Sequence, residues 1–192
     1  PLGFKDYSEA ENAVDLNDED GTYLPKTYNN TYGVYMPDGI AVYEAEGKTY
    51  ILTANEGDAR EWGDFCDEIK REGIAATDGT VLPNKVRVLD NTCKAGISAE
   101  GNYLYGGRSF SIFAVAEEGL SIVYDSANEF EAKTFKYLPA YYNVSNDDVE
   151  LESRTAKKGI EPEAVTLAAV NGRTYAFIAL ERIGGIMAYD IT

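Results

Sequence analysis

Two stretches of this 192-residue chain set carboxylates in the same pattern. Residues 37–56 read PDGIAVYEAEGKTYILTANE, and residues 162–181 read PEAVTLAAVNGRTYAFIALE. Aligned without a gap, Pro37 matches Pro162, Asp38 matches Glu163, Gly47 matches Gly172, Thr49-Tyr50 match Thr174-Tyr175, and Glu56 matches Glu181. Each copy therefore carries two acids at its ends, Asp38 with Glu56 and Glu163 with Glu181, and Arg60, Arg108 and Arg182 stand close by in sequence. Gathered carboxylates hold hard cations such as Ca2+, which takes roughly six to eight oxygens at about 2.3–2.6 Å. A metal held that way can activate water for phosphoester hydrolysis. The same acids can also be spent on arginines, as a ring of ion pairs joining neighbouring elements.

Composition removes most other chemistry. The chain has no His, so it cannot build a Ser-His-Asp or Cys-His nucleophile, a His-ligated metal site or a His-ligated haem. Lys and Arg total 17 against 33 Asp and Glu, a net charge of −16, which repels phosphate backbones and argues against nucleic acid as a partner. Gly106-Gly107 and Gly184-Gly185 are not phosphate loops, because no helix is predicted after either, and no nucleotide cofactor is expected. No apolar run is long enough to span a membrane. Cys66 and Cys93 are not spaced as a zinc knuckle or a redox pair, and in an oxidising compartment they could form one disulfide.

The acids sit on strands. Fifteen Tyr and seven Phe, with many Val, Ile and Thr, favour sheet over helix. Asn171-Gly172 and Glu46-Gly47 are two-residue hairpin turns, where both positions must accept positive φ. Gly39–Ala45 then pairs with Lys48–Asn55, and Ala164–Val170 with Arg173–Leu180, which puts Pro37 opposite Glu56 and Pro162 opposite Glu181. Gly185–Asp190 follows the second hairpin as a third strand, and Lys85–Asp90 is expected to do the same for the first. Ser109–Val115 and Leu120–Tyr124 form a further hairpin around Glu117-Glu118-Gly119. The offset between the copies, from residue 37 to residue 162, is near three units of roughly 40–45 residues. The expected fold is all-β, a partial β-propeller of about four blades forming a single unit over residues 1–192, with its four terminal acids on one acidic face. Short helical insertions are expected near Asp64 and over Ser126–Tyr137, where Ser126 and Glu129 fit a capping box and Pro139 a stop. Open strand edges in such a piece predict self-association, or cover by the remaining blades of a longer protein.

A second acidic patch, Asp15-Leu16-Asn17-Asp18-Glu19-Asp20-Gly21, resembles a calcium loop but fails its spacing. Asn29-Asn30-Thr31 and Asn143-Val144-Ser145 satisfy the glycosylation sequon. Residues 143–158 form a long polar loop without period, the kind that is functional or disordered.

The segments PLGFKDYS, YGVYMPDGIAVYEAEGKTYILTANEGDAREW, GRSFSIF with LSIVYDS, and SRTAKKGIEPEAVTLAAVNGRTYAFIALERIGGIMAYDIT together resemble the choice-of-anchor I domain family. The resemblance covers nearly the whole chain. It implies a secreted or surface-attached bacterial protein, propeller-related in fold, with signal and anchor outside this stretch and the chain an internal or C-terminal portion of a longer domain. Some members carry an alkaline-phosphatase-like or phytase-like esterase label or adjoin a metallophosphatase domain, so a calcium-dependent phosphoesterase is one reading. A recognition or scaffolding module for an extracellular ligand or a divalent cation is another, and a purely structural spacer a third. The positions carried over by the resemblance are Asp38, Asn55, Glu56, Asp58, Glu161, Glu163 and Glu181 as ligand or metal candidates, and Arg60, Arg108 and Arg182 as anion or ion-pair candidates. Ala164 departs from the Gly that often follows Pro-Glu in the family, a change at the start of one strand.

Overall fold

In the first repeat, alternation of apolar residues and a left-handed turn produce a hairpin. Glu46 and Gly47 have φ of 51° and 72°, which is what a two-residue turn between right-twisted strands needs. β3 (Ile40–Ala45) and β4 (Lys48–Ala54) close on it in the expected register, Ala45 opposite Lys48 and Ile40 opposite Thr53. Asn171 and Gly172, at φ 52° and 77°, do the same for β12 (Pro162–Val170) and β13 (Arg173–Leu180). A computed structural model describes residues 2–71, 80–90, 97 and 100–192.

The first hairpin extends into a four-stranded antiparallel sheet, β3-β4-β10-β11, with β10 spanning Phe110–Ala116 and β11 Gly119–Asp125. The second extends into a three-stranded sheet, β12-β13-β14, with β14 at Gly185–Asp190 as expected. β4 and β10 are adjacent strands separated by a long insertion, which carries its own small sheets. β1 (Phe4–Asp6) and β2 (Thr31–Val34), which precede the first repeat, join β9 (Asn102–Tyr105) of the insertion, with β2 and β9 parallel. β5 (Glu61–Trp62) pairs with β6 (Phe65–Cys66), and β7 (Glu68–Arg71) with β8 (Val86–Leu89).

The chain is all-β with several small sheets and one α-helix among the described residues. Three expectations change. The 125-residue offset is not filled by copies of the repeat alone: the two copies lie in sheets that touch, Gly39 N–H donating to Glu163 O at 2.7 Å, and the length between them includes β5 to β11 and the helix. Lys85–Asp90 is not the third strand of the first sheet, because β8 pairs with β7 and β10 takes the place beside β4. The helix near Asp64 is instead a tight β-turn, Trp62 opposite Phe65 across Gly63-Asp64, with Gly63 at φ 56°.

The α-helix α1 (Glu129–Tyr137) forms where one was expected. Its acids stand in the first turn and Lys136 in the last, which suits the helix dipole, and the chain leaves it at Leu138 before Pro139. The capping box does not form: Ser126 Oγ accepts from Phe110 N at 3.0 Å, and Asn128 occupies the cap without a side-chain bond.

α1 covers one face of a core shared by both repeats. Leu52 and Ala54 from β4, Phe110 and Ile112 from β10, Phe130 from α1, and Ala176, Ile178 and Leu180 from β13 make one buried cluster. Fully burying a Leu, Ile or Phe side chain contributes about 1.5–3 kcal/mol, so this shared cluster is a main reason the sheets stay together. The joint is tight at Gly39, where an added Cβ would lie 2.7 Å from Ala164 Cα and 2.7 Å from Glu163 O. Gly39→Ala is expected to lower unfolding stability by about 2 kcal/mol or more. Gly47→Ala, strained only in φ because nothing lies within 4 Å of its added Cβ, should cost about 1 kcal/mol. Urea unfolding of the two variants measures the difference; equal losses would mean that the sheets do not press on Gly39.

Candidate functional site

The open ends of the two hairpins converge on Glu161. This residue precedes β12, its side chain is 0% exposed, and its backbone turns at φ 56°. Three cations meet its carboxylate. Arg154 donates from Nε to Oε1 at 2.8 Å and reaches the same oxygen through Nη2; Lys158 Nζ lies 2.9 Å from Oε2; and Arg182 Nη2 donates to Oε2 at 3.0 Å. Lys158 also reaches Glu56 Oε1 at 2.8 Å and Asp58 Oδ1 at 3.3 Å, and Arg182 reaches Glu181 Oε2 at 3.4 Å. Glu56 leaves the first hairpin, while Glu161, Glu181 and Arg182 flank the second. The ammonium of Lys158 is thus a tie between the two repeat sheets.

Burial opposes the charge on Glu161, but hydrogen bonds from Arg182 and Lys158 and the nearby charges of Lys158 and Arg154 outweigh it. They hold the carboxyl down at about 2, against an ordinary 4.5. Lys158 is pushed up: burial works against its charge, and Glu56 and Glu161 more than compensate. Burial drives Glu56 and Glu181 the other way, up from the ordinary carboxylate value. Lys158 only partly offsets this at Glu56, as does Arg182 at Glu181.

The other expected site residues divide into distinct groups. Asp38 and Glu163 are exposed and make no ion pair among the described residues, although Asp38 is near enough to raise Glu56. Glu163 is displaced by a register shift: Ala164 faces Ala179 but Pro162 faces Leu180, so Glu163 is an extra residue in its strand and Pro162 does not face Glu181. Asn55 is buried, with Nδ2 donating to Ser111 Oγ at 2.7 Å and Oδ1 accepting from Thr53 Oγ1 at 2.7 Å. Arg60 closes the short β5–β6 segment on buried Asp67, Nε to Oδ2 at 2.7 Å. Arg108 is buried away from the hairpin ends. It pairs with Glu131 of α1 at 2.9 Å and donates to the carbonyls of Asp15, Thr155 and Lys157 at 3.1, 2.7 and 2.9 Å. Cys66 is exposed, and its proposed partner Cys93 lies outside the described residues. Asn143 of the second sequon is buried, its amide donating to Glu131 Oε1 and Thr155 Oγ1, both at 3.0 Å.

Sequence reasoning passed over Arg154 and Lys158. Both stand in the SRTAKKGIE run immediately before the second repeat, where a polar loop gives no periodic signal. It also passed over Lys5, which is buried and pairs with Asp125 at 2.9 Å. The one local cue was Lys158 three residues before Glu161.

An all-β scaffold whose repeats are locked together at their strand ends is the setting in which the relationship to known proteins has meaning. The chain matches the Choice-of-anchor I domain over residues 1–192 and belongs to that family. It is similar to the mesenchyme-specific cell surface glycoprotein of Strongylocentrotus purpuratus, 22% identical over 239 aligned positions, covering 100% of this chain and 30% of that protein. The chain thus spans under a third of the length of this curated relative. No solved structure matches it.

Removing the buried carboxylate leaves three cations facing one another. Glu161→Gln is expected to cost about 3 kcal/mol at neutral pH. The pH dependence has a definite sign. A carboxyl held below its unfolded value stabilises above that value and loses the benefit as pH falls through the folded one. The gap between wild type and Glu161→Gln should therefore shrink between about pH 4.5 and pH 2. Chemical unfolding at a series of pH values checks this; a gap that does not change with pH would mean the Glu161 charge is not what ties the strand ends.

Proposed function

We propose that the chain is a recognition module of a cell-surface protein, part of a β-propeller, that binds a small ligand through an oxyanion group. The supporting observation is a cavity of about 450 Å³ beside the Glu161 network, lined by Arg87, Arg154, Lys157, Lys158 and Arg182. Five cations around one concavity is a marked concentration in a chain of net charge −16. Three acids, Asp58, Glu61 and Glu68, share the lining. Arg154, Lys158 and Arg182 are engaged by Glu161, and Arg87 pairs with Glu68 at 3.1 Å. Lys157 makes no side-chain ion pair among the described residues, and burial with the charges of Arg154 and Arg87 pushes its amine below the ordinary value. A bound carboxylate, sulfate or phosphate group would relieve that crowding and take charge-assisted hydrogen bonds from the lysine and arginines. The chain's overall charge disfavours a long polyanion, so a ligand with one or two such groups fits better.

The propeller part of this reading rests on the match of the two sheets, in which β12, β13 and β14 repeat β3, β4 and β10 as neighbouring blades. The surface role draws on the family and on the surface glycoprotein relative. A calcium-dependent phosphoesterase at the hairpin ends fits less well. Its metal would have to displace Lys158, whose ammonium lies between Glu56 and Glu161 at 2.8 and 2.9 Å. A spacer without a site predicts no binding at all.

Calorimetric titration with inorganic sulfate, inorganic phosphate and a sulfated disaccharide tests the proposal. Saturable binding that weakens with added salt and falls about fivefold or more in Lys157→Gln is the expected result. Thermal stability should hardly change in that variant, since Lys157 loses no side-chain ion pair among the described residues. Absence of binding by all three, or binding indifferent to Lys157→Gln, would overturn it.

A further inference from the structure

The acidic loop at 15–21 fails the calcium-loop spacing because its donors are not all local. The fold brings a third carboxylate to it from the far side of the sequence. Glu152 accepts from Gly21 N at 2.8 Å through Oε2, tying the loop to the polar segment after α1. One carboxylate oxygen each from Asp15, Asp20 and Glu152 lie within 4.8 Å of one another. Asp15 and Glu152 are 1% and 2% exposed, and Asp20 is exposed, leaving a side from which an ion can arrive.

The cluster is unlike the one at Glu161 in having no cation. Among the described residues no ion pair reaches Asp15, Asp20 or Glu152; Lys85 goes instead to Asp18 and Glu19, at 3.2 Å each. Arg108 meets Asp15 only at its carbonyl, 3.1 Å away. The carboxylates are held by neutral donors: Asp15 Oδ2 by Leu24 N at 2.9 Å, and Asp20 Oδ2 by Asn17 Nδ2 at 2.8 Å. An independent sign of a missing partner is the second oxygen of Glu152. Oε1 is buried and accepts no hydrogen bond, as is Oδ1 of Asp18 on the same loop. A buried carboxylate oxygen without a donor, beside two further acids, costs several kcal/mol unless a positive charge meets it.

We propose that Asp15, Asp20 and Glu152 form a divalent-cation site, with Ca2+ as the ion it takes. All the donors are hard oxygens, with no nitrogen or sulfur among them, which selects Ca2+ or Mg2+ over zinc or copper. The spread of the three oxygens, within 4.8 Å of one another, suits an ion with ligands at about 2.3–2.6 Å, and the exposed side at Asp20 leaves room for the water ligands that Ca2+ accepts. The ion would join residues 15–20 to Glu152, and so steady the segment that supplies Arg154, Lys157 and Lys158. The site stands apart from the oxyanion cavity and does not depend on it.

The test is calorimetric titration of the whole chain with Ca2+, with melting followed in Ca2+ and in chelator, and Tb3+ luminescence excited through tyrosine. Tyr142 is suited to sensitise a bound lanthanide, its hydroxyl lying 3.3 Å from Asp15 Oδ2. Wild type should bind saturably and melt higher in Ca2+ than in chelator, and Ca2+ should displace Tb3+. Asp20→Asn and Glu152→Gln should each weaken binding about tenfold or more, and Glu181→Gln should leave it unchanged. Asp20→Asn alters an exposed side chain, so it remains informative if Glu152→Gln folds poorly. No saturable binding, binding unaffected by Asp20→Asn, or binding lost in Glu181→Gln would each overturn the site. The anion titrations with Lys157→Gln read a different pocket, so either proposal can fail alone.

Discussion

A carboxylate with no exposed surface has to be neutralised by its neighbours, and the cations around Glu161 come from two separate stretches of chain and reach a third. Arg154 and Lys158 arrive on the segment before it, Arg182 on the turn after β13, and Lys158 carries the contact across to Glu56 behind β4. Desolvating one acid is compensated only if all three cations are in place, so the position of each strand end is conditional on the others. The hydrophobic cluster around Phe110, Phe130 and Ile178 supplies most of the attraction between the sheets, but apolar contact is tolerant of sliding. Ion pairs at about 2.8–3.0 Å are not. The core brings the repeats together and the charged joint decides how they meet.

Local features were legible in the sequence. Both hairpins follow from Gly47 and Gly172 and from apolar alternation, and α1 from its run of helix formers ending before Pro139. Partnership between distant strands was not legible, because β10 and Lys85–Asp90 have the same strand-like composition and only tertiary packing chooses between them. Counting repeats meets the same obstacle: an offset measures chain length, and it does not reveal whether the residues in between build more copies or a different structure. At the site, Glu56 and Glu181 could be found because the repeat marks them, and Arg182 because it follows Glu181 directly. Lys158, at the centre, lies outside the repeated stretch and looks like any basic residue in a polar loop. The pairing of Pro162 with Glu181 was misjudged through a single extra residue at the start of β12, since a bulge leaves no mark in the alternation of a strand end.

An acidic protein with a cationic concavity is less paradoxical than its net charge suggests. Gathering cations to serve Glu161 also sets their outward faces around the neighbouring cavity. The surface charge elsewhere is solvated and screened over roughly 10 Å at physiological salt, so a small anion in the cavity feels mainly its own lining. The side chains that neutralise Glu161 are also those that line the cavity.

The long excursion between β4 and β10 has a temporal meaning. A chain is synthesised from its N-terminus, and β3 and β4 are available well before the strand that completes their sheet. Until β10 arrives, Leu52 and Ala54 have no inner partner from their own sheet, and the open edge of β4 presents unpaired backbone to whatever is near. Closing a loop of that length costs only a few kcal/mol in entropy, but it makes the pairing non-local and hence slow. Within that excursion β5 pairs with β6 and β7 with β8, so part of its length is taken up by local pairings. What reads as an interruption of a repeat is also a stretch whose own hairpins shorten the path between the two halves of the sheet.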